Sequence, residues 1–383
     1  IDCMLNIAFI GHKRIPSREG GVEIVVEQLS TRMAMKGLKV TCFNRAGHHV
    51  SGAQYDIASS NPKFYKGIRV KTVLTFNLKG LAAVSSSFFA SLLASFGKYD
   101  IVHYHAEGPS SMLWLPKLFG KKVVVTIHGL DWQRAKWSSF ASMYIKFGEY
   151  MAAKYADEII VLSKNVQKYF KSEYERNTLY IPNGVSSPII SRADMILKKF
   201  DLSKNSYILF LGRLVPEKGI DYLIDAFKKI KTDKKLVIAG GSSDSEPYAN
   251  SIRNKASDDN RIIFTGFVQG QVLQELYSNA YLYVLPSDVE GMPLSLLEAM
   301  SYGNCCLTSD ILECTEVTED KALHFKKSDA VDLQNKLQMA LDDPCLVNKL
   351  KEDATNFVCK RFNWDDVVTK TIDIYKSLSI YDK

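Results

Sequence analysis

Arg213 and Lys218 stand five residues apart in Gly212-Arg213-Leu214-Val215-Pro216-Glu217-Lys218-Gly219, directly after an apolar run. Arginine offers a planar fork of donors and lysine a compact positive charge, a pairing suited to phosphate oxygens. Further on, Glu290 and Glu298 bracket Glu290-Gly291-Met292-Pro293-Leu294-Ser295-Leu296-Leu297-Glu298. Carboxylates at such positions accept hydrogen bonds from hydroxyls. Gly291 lets a ligand approach the backbone, while Pro293 stiffens the loop and has no N–H of its own to give. From Leu294 onward the pattern is helical, so the amides of Gly291, Met292 and Leu294 lie near a helix N-terminus, where anions are favoured. Cations for a diphosphate, carboxylates for hydroxyls and amides for the remainder suit a nucleotide sugar.

These motifs need strands to carry them. Tyr207–Leu211 leads into the first and Tyr281–Leu285 precedes the second, and Lys235–Ala239 and 262–264 are further short apolar runs. The earlier half holds a similar series: Leu5–Gly11, Lys39–Phe43, 101–104, Val123–Ile127 and 158–162, with a helix over Val22–Lys36. Apolar runs alternating with helical patterns predict parallel, doubly wound sheets. A chain of 383 residues fits two domains. Ile181-Pro182-Asn183-Gly184 is a turn-rich junction, which places the domains at 1–184 and 185–363. Ligand motifs at strand ends in both halves predict two Rossmann-like α/β domains facing across a cleft. Gly80–Gly97 carries no charge but includes five serines; it is expected to be a core or interfacial helix rather than a membrane span.

Charge and cysteines narrow the setting. Residues 1–184 hold 24 Lys and Arg against 13 Asp and Glu, a net of +11, while the rest hold 25 against 29. No zinc finger or RNA-recognition signature accompanies the basic half, so nucleic acid is not an expected partner. An anionic membrane surface or a lipid diphosphate suits it better. Lys117, Lys121 and Lys122 flank Leu118 and Phe119, and Lys136, Lys146 and Lys154 lie among Trp137, Phe140, Tyr144, Phe147 and Tyr150. Cations interleaved with aromatics predict an interfacial helix. Seven cysteines without a Cys-x-x-Cys pair suggest reduced thiols. The opening residues show no basic-then-apolar leader. The expected location is cytoplasmic and peripheral, at the inner face of the cell membrane.

The paired motifs resemble the donor site of retaining glycosyltransferases of family 4, in the GT-B architecture. The resemblance extends along essentially the whole chain. It implies that Arg213 and Lys218 stabilise the donor diphosphate beside Gly212, that Glu290 holds sugar hydroxyls with Gly291, Met292, Pro293 and Leu294 around it, and that Glu298 binds the ribose hydroxyls. It further implies that Gly20 and Gly21, in Arg18-Glu19-Gly20-Gly21-Val22-Glu23, approach the donor phosphates. By the same resemblance His128, in Thr126-Ile127-His128-Gly129-Leu130-Asp131, would lie under the reactive sugar, and the last helix, from Trp364 to about residue 383, would pack back on the first domain. The stretch Gly11–Glu23 resembles a bacterial subgroup labelled rhamnosyltransferases of surface-polysaccharide assembly. A hexosyl or deoxyhexosyl unit would pass, with retention, to a glycan or a polyprenyl-diphosphate-linked acceptor. Two alternatives stay open: a sugar-nucleotide 2-epimerase of the same fold, and a catalytically silent binding subunit. No cofactor or metal is expected. Asp-x-Asp, the mark of metal-dependent GT-A enzymes, is absent, and the spacing of His103 and His105 suits a strand end better than a metal site.

Overall fold

In the computed structural model the described residues are 5–47, 63–76, 78, 80–133, 139–242 and 246–380. They divide into two compact units, one formed by residues 1–184 with 364–383 and the other by Val185–Asn363.

The first unit is built on an eight-stranded sheet. Its strands are β1 (Asn6–Ile10), β2 (Lys39–Arg45), β3 (Phe64–Tyr65), β4 (Ile68–Val73), β5 (Ile101–His105), β6 (Lys122–Ile127), β7 (Glu158–Val161) and β8 (Leu179–Tyr180). They lie in the order β3-β4-β2-β1-β5-β6-β7-β8, and only the β3–β4 pair is antiparallel. Ile7, Ala8, Phe9, Val102, Tyr104, Val123, Val124 and Val125 are fully buried, as apolar strands covered on both faces must be. The connections reverse direction between β1 and β5, which leaves a crevice at their carboxyl ends. Gly11 closes β1 at φ 120°, and a Cβ there would stand 2.2 Å from the His105 carbonyl oxygen. Glycine thus lets the ends of β1 and β5 meet.

The second unit has six parallel strands: β9 (Tyr207–Leu211), β10 (Lys235–Ala239), β11 (Ile262–Gly266), β12 (Leu282–Leu285), β13 (Cys306–Ser309) and β14 (Leu323–Phe325). Their order is β11-β10-β9-β12-β13-β14, with the reversal between β9 and β12. Gly240, at φ 151°, allows its strand end to close on Gly212, whose carbonyl oxygen would lie 1.8 Å from a Cβ at 240.

Helices follow the strands as the alternating pattern predicts. The first spans Gly21–Met35 and the uncharged segment folds as a helix over Leu81–Phe96. No helix among the described residues is long and apolar enough to cross a membrane. The last helix, Trp364–Ile380, packs on the first unit: Arg32 meets Asp365 at 2.9 Å, and the Tyr375 hydroxyl reaches His103. The short strands β3, β4, β8, β13 and β14 lack a sequence expectation. They are edge or near-edge elements with polar residues interrupting the apolar pattern, as in Ile68-Arg69-Val70-Lys71-Thr72-Val73.

Candidate active site

The two motifs of the second unit follow the two strands that flank its reversal point. After β9 the chain makes a turn whose Gly212 N–H donates to the Ala239 carbonyl at 3.0 Å, and a single 3-10 turn forms over Pro216–Lys218. After β12 the loop 286–293 leads into the helix Leu294–Ser301. The fold brings these segments into direct contact. The Lys218 ammonium donates to Glu290 at 2.5 Å, with the two side chains only 13 % and 9 % exposed. Tyr222 donates to both the Pro286 carbonyl and the Asp288 carboxylate, the latter at 2.8 Å. The Asp288 amide in turn donates to the Glu217 carbonyl at 2.8 Å. Arg213 is partly buried in the same turn.

Gly291, Met292 and Pro293 are buried, and Pro293 is the N-cap of the helix. No side chain caps it; the Leu296 and Leu297 amides donate to the Pro293 carbonyl at 3.1 and 3.3 Å. Glu298 lies on this helix and accepts from the Tyr277 hydroxyl at 3.1 Å. Tyr277 stacks on Tyr302 at 5.2 Å, and Tyr283 bonds Ser295 at 2.9 Å. Burial pushes the phenols of Tyr277 and Tyr283 well above their ordinary range, so they remain donors. Sequence reasoning missed Tyr222, Tyr277 and Asp288, because their role depends on contacts between segments far apart in the chain.

In the first unit Gly20 is the extended N-cap of the Gly21–Met35 helix, again without a side-chain cap. His128 follows β6, is buried, and its Nε2 lies 2.9 Å from Nδ1 of His105. Burial lowers His103 to about 3 and His12 to about 4, and it drives His105 well below the usual histidine range, with help from His103, His128 and His12. His103, His105 and His12 are therefore neutral imidazoles at neutral pH. Among the described residues no group of three His, Cys, Asp or Glu side chains could hold a metal ion. His103 is instead bonded to Tyr375 at 2.5 Å and to Thr126 at 2.7 Å.

Glu107, just past β5, is fully buried and accepts the Asp131 N–H at 3.0 Å through Oε1, while Oε2 has no protein partner. Burial first, and then the nearby Asp131 charge, hold its carboxyl well above the usual range, so it is a neutral acid. Glu107→Gln should therefore unfold within about 2 °C of wild type. Glu107→Ala, which leaves a cavity and removes the Glu107 acceptor of the Asp131 amide, should cost about 2–4 kcal/mol. Thermal unfolding distinguishes the two; a glutamine variant as unstable as the alanine one would contradict the neutral-acid assignment.

Two family models match the chain, one to each half: residues 19–187 match Glycosyltransferase Family 4, and residues 194–357 match Glycosyl transferases group 1. The UDP-Gal:alpha-D-GlcNAc-diphosphoundecaprenol alpha-1,3-galactosyltransferase of Escherichia coli is 30% identical over 298 residues, 73% of this chain and 75% of that one. Among solved structures, a sucrose-phosphate synthase from Thermosynechococcus elongatus superposes with a TM-score of 0.82 at 22% identity, covering 98% of this chain and 99% of its own. Anabaena HepE, in complex with UDP and glucose, gives 0.79 at 16% identity over 97% of this chain and 100% of its own. Two parallel α/β units, both family models and the galactosyltransferase likeness together place the chain among the family 4-like glycosyltransferases of GT-B fold.

Proposed function

We propose that the protein moves a hexosyl or 6-deoxyhexosyl unit, rhamnosyl among the candidates, from a nucleoside diphosphate sugar to a glycan or lipid-linked acceptor, with retention. The observation that carries this reading is the Lys218–Glu290 pair, which joins the cationic turn after β9 to the carboxylate loop after β12. The arrival of a donor gives Lys218 a phosphate oxygen and Glu290 sugar hydroxyls in place of each other. Arg213 adds its fork of donors, so negative charge that builds on the departing diphosphate is met by preorganised cations. The acceptor hydroxyl oxygen bonds to the anomeric carbon on the face that the phosphate leaves. The sugar–phosphate C–O bond breaks, and the hydroxyl proton passes to a departing phosphate oxygen. Glu298 takes the ribose hydroxyls, Gly20 and Gly21 approach the phosphates, and His128 supports the reacting sugar. Arg213 and Lys218 supply the positive charge, and no metal or organic cofactor is assigned a part.

A panel of UDP-, dTDP- and GDP-sugars tested by thermal shift identifies the donor, because a ligand held only by the folded state raises the melting temperature. One nucleotide series should stabilise wild type but not Glu298→Gln; equal stabilisation of both would overturn the ribose assignment. Incubation of the stabilising donor without acceptor separates transfer from epimerisation, which alone would isomerise it.

For the acceptor side we propose an anionic membrane surface. Lys117 is paired with Asp157 at 2.9 Å and Lys121 bonds the carbonyls of Gly97 and Tyr99, so these two charges already serve the fold. Lys136 and Trp137 lie outside the described residues. Exposed apolar side chains support the reading better than those lysines do. On the helix Ser139–Tyr155, Phe140 (76 % exposed), Met143, Phe147 and Tyr150 recur at helical spacing beside Lys146 and Lys154. Phe96 and Phe119, with ring centroids 4.7 Å apart, form a second exposed cluster with Leu118. Such faces insert at a lipid headgroup boundary. The protein should float with vesicles containing anionic lipid and lose them on Phe140→Asp/Phe147→Asp substitution. Equal recovery with neutral vesicles, or an unaffected double variant, would contradict this docking.

A further inference from the structure

We infer that His105 is a positioning residue for His128, holding that imidazole in one orientation with its proton on Nδ1. The inference rests on the role proposed for His128. It starts from strand register. In the parallel β5–β6 pair, His103 lies opposite Val124 and His105 opposite Thr126. Side chains two apart on a strand share a face, so His103 and His105 point the same way, as do Thr126 and His128. Each histidine of β5 then meets the residue one pleat further along its neighbour. His103 Nε2 reaches Thr126 Oγ1 at 2.7 Å, and His105 Nδ1 reaches His128 Nε2 at 2.9 Å. The second contact repeats the first where the strand gives way to the loop.

The surroundings prevent the His105 ring from turning. Phe9 packs against it with ring centroids 5.4 Å apart, and the His103 ring lies 4.4 Å away on the same face. His103 is itself fixed from behind by Tyr375 of the last helix. His105 is fully buried, and its Nε2 has no partner. A neutral imidazole carries one ring proton. A proton on Nε2 would bury an N–H with nothing to receive it, an arrangement rarer and costlier than an unused acceptor. The proton therefore belongs on Nδ1, where it is donated to Nε2 of His128. His128 must accept there, and its own proton is left on Nδ1. Glu107, two residues further along, receives the Asp131 amide at 3.0 Å. The end of β5 thus holds the 128–131 loop at both ends.

The test pairs two substitutions with a readout independent of turnover. His105→Phe keeps a ring against Phe9 but removes the donor, whereas His105→Asn places an amide N–H near the former Nδ1. Nitrogen-15 NMR of histidine-labelled protein should show His128 protonated on Nδ1 in wild type and in His105→Asn, and a mixture of tautomers in His105→Phe. Turnover at saturating donor should fall roughly tenfold to a hundredfold in His105→Phe, the range usual for partners that orient a working histidine, with little change in donor KM. His105→Asn should recover most of it. An unchanged His128 tautomer in folded His105→Phe would overturn the inference, as would equal turnover loss in both variants. Wild-type protein that transfers no sugar but shows the expected tautomer would instead refute the proposed function alone.

Discussion

The Arg213→Ala/Lys218→Ala variant should lose about a thousandfold or more in kcat/KM for transfer while remaining folded. Removing one preorganised donor to a developing negative charge costs about a hundredfold to a thousandfold, and here both cations are removed. The fold should tolerate the change unevenly. Arg213 lies in a turn rather than a strand, so its loss should hardly alter unfolding. Lys218 is the partner of Glu290, whose side chain is only 9 % exposed. Its loss should cost about 1–3 kcal/mol, because a nearly buried carboxylate is left with one partner fewer. Adding Glu290→Gln should return part of that stability without returning activity. A double variant with near-wild-type transfer would remove the diphosphate assignment.

The second large effect is acid sensitivity of the first unit. His12 and His103 are lowered by burial to about 4 and about 3, and burial with three neighbouring imidazoles drives His105 lower still. Unfolded histidines bind a proton below about pH 6.5. The unfolded chain then holds more protons than the folded one, so stability is complete above that pH and falls as the pH drops. Glu107 acts in the opposite sense: its raised carboxyl stays protonated in the fold, while the unfolded group ionises above about pH 4.5. Three histidines against one carboxyl leave a difference of two protons near pH 5, or about 3 kcal/mol per pH unit. Melting temperatures from pH 7.5 to 5 should therefore drop steeply, and His105→Phe should flatten the slope by about one proton. A melting temperature that stays level to pH 5 would contradict the buried, neutral histidine cluster.

Much of this was legible in the sequence because parallel strands buried on both faces appear as unbroken apolar runs. The runs at Tyr207–Leu211 and Tyr281–Leu285 placed the two motifs at strand ends, and the structure shows that those strands are neighbours, with Ile208 paired to Leu282 although they stand 74 positions apart in the chain. Edge and near-edge strands escaped: β4, one strand in from the edge, alternates apolar with charged residues, and β14 is three residues long. The supporting tyrosines escaped for a different reason. Tyr277 and Tyr222 resemble any helical tyrosine until the fold brings Glu298 and Asp288 to their hydroxyls. The His-x-His of β5 did carry a usable cue, since period two places both rings on one face. What spacing did not reveal is the partner, His128, one strand over. The basic balance of the first half pointed to a surface, but Lys117 and Lys121 prove to be tied to Asp157 and to the Gly97 and Tyr99 carbonyls, and the exposed aromatics carry the proposal instead.

The most direct measurement is a crystal structure of the protein with the nucleotide sugar that gives the largest thermal shift. The account predicts diphosphate oxygens within hydrogen-bond reach of Arg213 and Lys218, sugar hydroxyls on Glu290 and both ribose hydroxyls on Glu298. A fully occupied nucleotide sugar bound elsewhere, with Lys218 still joined to Glu290 and Glu298 making no ribose contact, would contradict it.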